Sequence, residues 1–151
     1  ARRQRQMCIR DSFEPVPHLR GRLFEYGTAD CYTLLTDAYH LAGIDLMPVQ
    51  RGDIDEDATQ ELFVKLAKQA GFSRVYDVQP GDVIITAFEG HPSHALLYIG
   101  DGDVLHHAIG HLSRRDMYGR FMQDRTHSIW RHKDWRPEML QAIKNDLEHS
   151  T

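Results

Sequence analysis

The 151-residue chain has little of what usually announces a function at first sight. Its two cysteines, Cys8 and Cys31, are too few for a disulfide framework, and neither belongs to a Cys-x-x-Cys unit. Nothing in their spacing requires them to pair. No apolar run approaches the roughly 18 to 20 residues that span a bilayer, so membrane insertion is not expected. The opening Ala-Arg-Arg-Gln-Arg-Gln is basic but has no apolar stretch behind it, which is not the pattern of a secretory signal. There is no excess of positive charge either. The formal net charge is -4 and the pI about 6.2, so no global basic field exists to hold nucleic acid. Repeats and low-complexity tracts are absent, and 41% hydrophobic with 26% charged residues excludes wholesale disorder. What remains is one domain of ordinary composition with ten histidines, able to build a core without staples.

Residues 1–12 read as a polar arm or linker, and Phe13 to Leu19 as a proline-bearing lead-in. Asp30 is a plausible N-cap for a helix whose apolar positions, Cys31, Leu34, Leu35, Ala38, Tyr39 and Ala42, follow a 3.6-residue period up to Gly43. Ala58, Leu62, Phe63, Leu66, Ala67 and Ala70 outline a second amphipathic helix, closed by Gly71. The period then changes. Strands are expected at Val83–Phe88, His94–Ile99, Val104–Ile109 and Ser128–His132, separated by turn residues. A short helix from Pro137 to Leu147 closes the chain, with Met139, Leu140, Ile143 and Leu147 on one side. Helices followed by a meander of strands imply an α+β domain, with the helices packed on one face of an antiparallel sheet.

Two features carry chemistry. Cys31 falls in the first turn of its helix, where unpaired N–H groups and the positive dipole end favour a thiolate. The plainer alternative is a small apolar residue on the buried helix face. Five of the ten histidines lie between His91 and His111, across the expected hairpin. A nucleophilic thiol needs a base within reach and a third group to orient that base. Strand alternation puts His94, Leu96 and Tyr98 on one face. A two-residue Asp101-Gly102 turn would bring His107 to that face; a three-residue Gly100–Gly102 loop would oppose Tyr98 to Val104 and bring His106 instead. Alternation leaves both open.

Tyr26-Gly-x-x-Asp-Cys31, Pro80-Gly-Asp-Val83, His94-Ala-Leu-Leu-Tyr-Ile-Gly-Asp-Gly102 and Leu105-His-His107, in that order, resemble the NlpC/P60 family of papain-like cysteine peptidases and amidases of the cell wall. The fuller run through Ser113, Tyr118 and Trp130-Arg-His132 is similar to the version found in tail-tip assembly proteins of lambda-like phages. The resemblance covers about residues 13 to 132 and leaves 133–151 as a helical extension. It implies Cys31 as nucleophile, His94 as general base and His106 as the group that orients it, with no metal or other cofactor. Tyr26, Asp30 and His107 become candidates for oxyanion or substrate contacts. The implied substrate is the peptide stem of peptidoglycan. The implied setting is a virion tail tip, made in the host cytoplasm, beside other tail-tip proteins and acting in the bacterial wall. The small residues that usually follow the thiol are replaced by Tyr32 and Thr33, which alters the expected groove.

Two rival readings use the same residues. One is a wall-binding or tail-assembly module that keeps the fold without turnover. The other is a zinc site at His91-x-x-His94 with His106 or His107, which lacks an acidic or cysteine partner in the hairpin and leaves Cys31 idle. His91, His111 and His132 are expected to be solvated or to stand at the rim of the site, in reach of substrate, and Trp130 and Trp135 to pack. A disulfide between Cys8 and Cys31 would disable the thiol, so a reduced Cys31 is expected.

Overall fold

The structure, a computed structural model, describes residues 16–46, 65, 67–88 and 91–149, without the side chains of 88, 91–93 and 149. Helix α1 spans Cys31–Ala42. Its start is a reciprocal cap: the Asp30 carboxylate accepts the Tyr32 and Thr33 amides, and Thr33 Oγ1 accepts the Asp30 amide. Gly43, at φ 103°, ends the helix in the left-handed conformation that glycine adopts without strain. Most of the second amphipathic helix falls outside the described residues, although 67–69 are helical and Gly71 follows at φ 95°.

Among the described residues, six antiparallel strands form one sheet: β1 (Phe72–Val75), β2 (Val83–Phe88), β3 (His91–Gly100), β4 (Asp103–His106), β5 (Arg114–Met117) and β6 (Thr126–His132). Their order is β1-β6-β2-β3-β4-β5, so β2 to β5 make the expected meander and β6 returns to lie between β1 and β2. A short helix α2 (Arg120–Asp124) precedes β6, and a 3-10 turn at Pro137–Met139 leads into α3 (Leu140–His149).

Strand alternation divides the core. Val83, Ile85, Ala95, Leu97, Ile99, Leu105 and Trp130 pack with Leu34, Ala38 and Tyr39 of α1 and with Ile143 and Leu147 of α3. Ile84, Leu96 and Val104 face the other way and are covered by Tyr98, Tyr118, Met122 and Ile129. The Pro80-Gly-Asp-Val83 segment is a structural joint. Asp82 is fully buried and accepts a bidentate pair from Arg131 Nε and Nη2, each at 2.9 Å. The Tyr39 hydroxyl donates to the Gly81 carbonyl at 2.6 Å, tying α1 to this turn, and the Trp135 ring lies where a Gly81 Cβ would stand.

Two strands were not expected. β1 is short and half exposed, and β5, Arg-Arg-Asp-Met, has no apolar alternation to mark it. The strand expected through Ile109 stops at His106. His132, expected in solvent or at the rim of the site, is buried: Nε2 faces the Ala70 carbonyl at 2.9 Å and the ring packs edge-on against Phe72. Trp130 is core and Trp135 packs on Tyr39, both as expected.

Candidate functional site

Cys31 is the first residue of α1, a buried thiol in the apolar cluster that includes Ala95 and Leu97. The capping network that holds this turn is dense. Besides the Tyr32 and Thr33 amides, the Asp30 carboxylate accepts the Gly27 amide at 2.8 Å, fixing the loop in front of the helix. The helix packs against β3 and β4, the strands that carry the histidines.

His94 lies in β3 at a break in the ladder. Thr86 opposes His94, but Ala87 opposes Pro92, so an extra residue is accommodated on β3 beside the histidine. A bulge of this kind bends the strand and re-aims the neighbouring side chain. The β3–β4 turn decides the partner. Asp101 (φ 57°) and Gly102 (φ 79°) form a two-residue turn, and the pairing then steps from Gly100 with Asp103 to Tyr98 with Val104. Ile99 is the surplus residue. The turn is thus the shorter of the two considered, while the bulge produces the register of the longer one.

That register brings two rings together. His94 Nε2 lies 3.0 Å from His106 Nδ1, with the rings edge-on at a centroid distance of 5.3 Å. His106 Nε2 in turn lies 3.2 Å from Asp116 Oδ2 on β5. Arg114 Nη2 approaches the same carboxylate oxygen at 3.5 Å, and the Met117 amide donates to Asp116 Oδ1 at 2.8 Å. Burial pushes His94 down to about 3, with His106 and His107 contributing, so its ring is neutral at neutral pH. His106 is also lowered by burial, opposed by its hydrogen bond to Asp116. Burial works upward on Asp116, but the Met117 amide, His106 and Arg114 together hold its carboxyl below the usual range.

The other sequence candidates are placed differently. Tyr26 sits in the loop before α1 and is 58% exposed. Asp30 is buried in its capping role. His107 follows the end of β4, 1% exposed, edge-on against Phe24 at 5.2 Å. Burial lowers its pKa, opposed by the neighbouring backbone of His111 and Arg22 and by the Asp30 carboxylate. Beside Arg114 opens a cleft of about 620 Å³ lined by His18, Arg20, His111, Leu112 and Arg115 among others. Among the described residues, no group of three His, Cys, Asp or Glu side chains is arranged to hold a metal ion; the side chain of His91 lies outside them.

The model of the NlpC/P60 family matches residues 21–131, most of the chain. The chain belongs to the NlpC/P60 family. Its α+β architecture is accordingly the papain-like one. Among curated proteins it is 46% identical over 138 residues to tail tip assembly protein K of Escherichia phage lambda, covering 89% of this chain and 69% of that protein. It is 31% identical over 128 residues to tail tip assembly protein K of Escherichia phage N15, covering 78% of this chain and 51% of that one. The chain therefore spans about two thirds and about half of these relatives.

Within this NlpC/P60 frame, Asp116 and Arg114 are the residues that sequence reasoning passed over. A signal exists in retrospect, since they stand two apart and strand alternation turns them to one face. It was silent because a charged tetrapeptide between turns reads as loop.

Proposed function

We propose that this chain is a cysteine peptidase or amidase acting on the peptide stems of peptidoglycan, as part of a phage tail tip. The observation that carries the reading is the 3.0 Å contact between His94 Nε2 and His106 Nδ1 on strands packed against the helix that Cys31 begins. Membership in a family of wall peptidases and amidases supports the substrate class. The relatives' names support the tail tip, with other tail-tip proteins as partners; the bacterial wall as the place of action follows from the substrate class alone.

In this reading neutral His94 takes the proton from Cys31, and the thiolate attacks an amide carbonyl carbon. Peptide N–H groups at the start of α1 steady the oxyanion. The tetrahedral intermediate collapses as His94 returns the proton to the leaving amine. Water, activated by His94, then hydrolyses the thioester and restores the thiol. His106 orients the base. No metal or cofactor takes part.

Digestion of purified peptidoglycan, with fragments identified by mass, tests this. Wild type is expected to create new stem-peptide ends and Cys31→Ala none. Equal fragment patterns from the two proteins, or no cleavage by either across pH 5 to 9, would overturn it. The word "assembly" in both relatives' names favours a second reading, a tail module whose thiol is dispensable. Phage carrying Cys31→Ala that assemble tails and infect at wild-type levels would support that alternative.

A further inference from the structure

We infer that Asp116 is a positioning residue that sets the direction of the His94–His106 hydrogen bond, so that His94 presents a lone pair, not a proton, at Nδ1. The inference deepens the peptidase reading and rests on it for the roles of Cys31 and His94.

The argument is one of donors and acceptors. A neutral imidazole carries one N–H and one lone pair, so a contact between two such rings can run either way. If His106 holds its proton on Nδ1, it donates to His94 Nε2. His94 must then carry its own proton on Nδ1 and has no lone pair left for a thiol. If His106 holds its proton on Nε2, its Nδ1 accepts from His94 Nε2–H, and His94 Nδ1 is a base. Only the second arrangement can deprotonate sulfur.

Asp116 decides between them. An ionised carboxylate only accepts, and Asp116 Oδ2 stands 3.2 Å from His106 Nε2, so that nitrogen must bear the proton. The carboxylate is itself held ionised: Arg114 Nη2 lies 3.5 Å from the same oxygen and the Met117 amide occupies Oδ1. Geometry makes the order firm at the His106 end, where the side chain is 4% exposed and water has little access to compete. The register explains the reach. His106 pairs directly with Arg114 and Val104 with Asp116, so the carboxylate meets the ring on the diagonal, within range of a long side chain. When His94 takes the thiol proton it becomes an imidazolium that keeps its Nε2–H bond to His106, and the negative charge resides on sulfur. The chain His94–His106–Asp116 then ends on an anion that favours the new cation. His107, the other titratable ring nearby, packs edge-on against Phe24, and a neutral imidazole is not the fixed anionic acceptor that the carboxylate is.

The test is the tautomer of each ring, read by long-range proton–nitrogen correlation NMR on histidine-labelled protein at pH 7. Wild type is expected to show Nε2–H for both His94 and His106. D116K puts a donor where the acceptor stood and is expected to move both protons to Nδ1. It should also slow alkylation of Cys31 by iodoacetamide about tenfold or more. D116E, which keeps the carboxylate, is expected to retain the wild-type tautomers. Unchanged tautomers in D116K would overturn the inference. Asp116 is partly exposed on an edge strand, so melting should change little. Should D116K fail to fold, D116N replaces it, with mixed tautomers expected and wild-type tautomers overturning the proposal. The two readings fail separately: alkylation as fast in His94→Ala as in wild type would count against the peptidase reading, while the tautomers still judge Asp116.

Discussion

At the scale of single residues, the site keeps an imidazole neutral by hiding it. His94 has an ordinary value of 6.5 and is pushed down to about 3 in the fold, mainly by burial. The unfolded chain therefore binds a proton that the folded chain refuses. Its contribution to stability is complete above about pH 6.5 and is lost as pH falls toward 3. The melting temperature should thus drop steadily on acidification through that window. His94→Gln should flatten the dependence, because the substituted side chain takes up no proton on unfolding. An unchanged slope in the variant would show that His94 is as solvated in the fold as in the open chain. Buried His107 and His132 are lowered in the same direction, so the slope should not vanish entirely.

At the scale of elements, the turn before β2 shows how a family pattern can be structural. Gly81 sits at φ 98°, and a Cβ there would stand 2.0 Å from the Trp135 ring. Gly81→Ala combines left-handed strain with overpacking and should cost about 2 to 4 kcal/mol. Urea unfolding would measure it; a loss below about 0.5 kcal/mol would mean that Trp135 swings aside freely. The β3–β4 hairpin makes the opposite point. Its turn residues are legible as Asp101-Gly102, yet the register that joins His94 to His106 depends on the surplus Ile99. Side-chain alternation is exact in an ideal ladder, so one extra residue exchanges His106 for His107. No local preference in the sequence reveals such a bulge.

At the scale of the whole molecule, the core does not end where the family match ends. The match stops at residue 131, but Ile143 and Leu147 of α3 lie in the same cluster as Leu34 and Tyr39. Ile143 is fully buried, and Ile143→Ala should cost about 3 kcal/mol in urea unfolding. A cost near zero would show that α3 is dispensable to the domain. The lead-in to α1 is tied down as firmly. Arg22 pairs with Asp37 at 2.8 Å, both side chains nearly buried, and bonds the carbonyls of Pro17 and His18. Asp146 of α3 accepts the Leu19 amide at 2.9 Å, joining the two ends of the described chain.

The sequence by itself determined α1 with its Asp30 cap and Gly43 stop, the apolar strands β2 and β3, the closing helix and the family. All of these rest on local signals: capping chemistry, hydrophobic period and a few short motifs in fixed order. Strand alternation left His106 and His107 open and the family resemblance pointed to His106; only the tertiary structure showed the contact with His94, what lies behind it and which polar residues are structural. Those outcomes depend on strand register, on an edge strand with no apolar signature, and on burial. Each is set by contacts between residues far apart in the chain. Asp116 is the clearest case. As part of Arg-Arg-Asp-Met it is an unremarkable surface charge, and only pairing of β5 with β4 brings its carboxylate to the ring of His106.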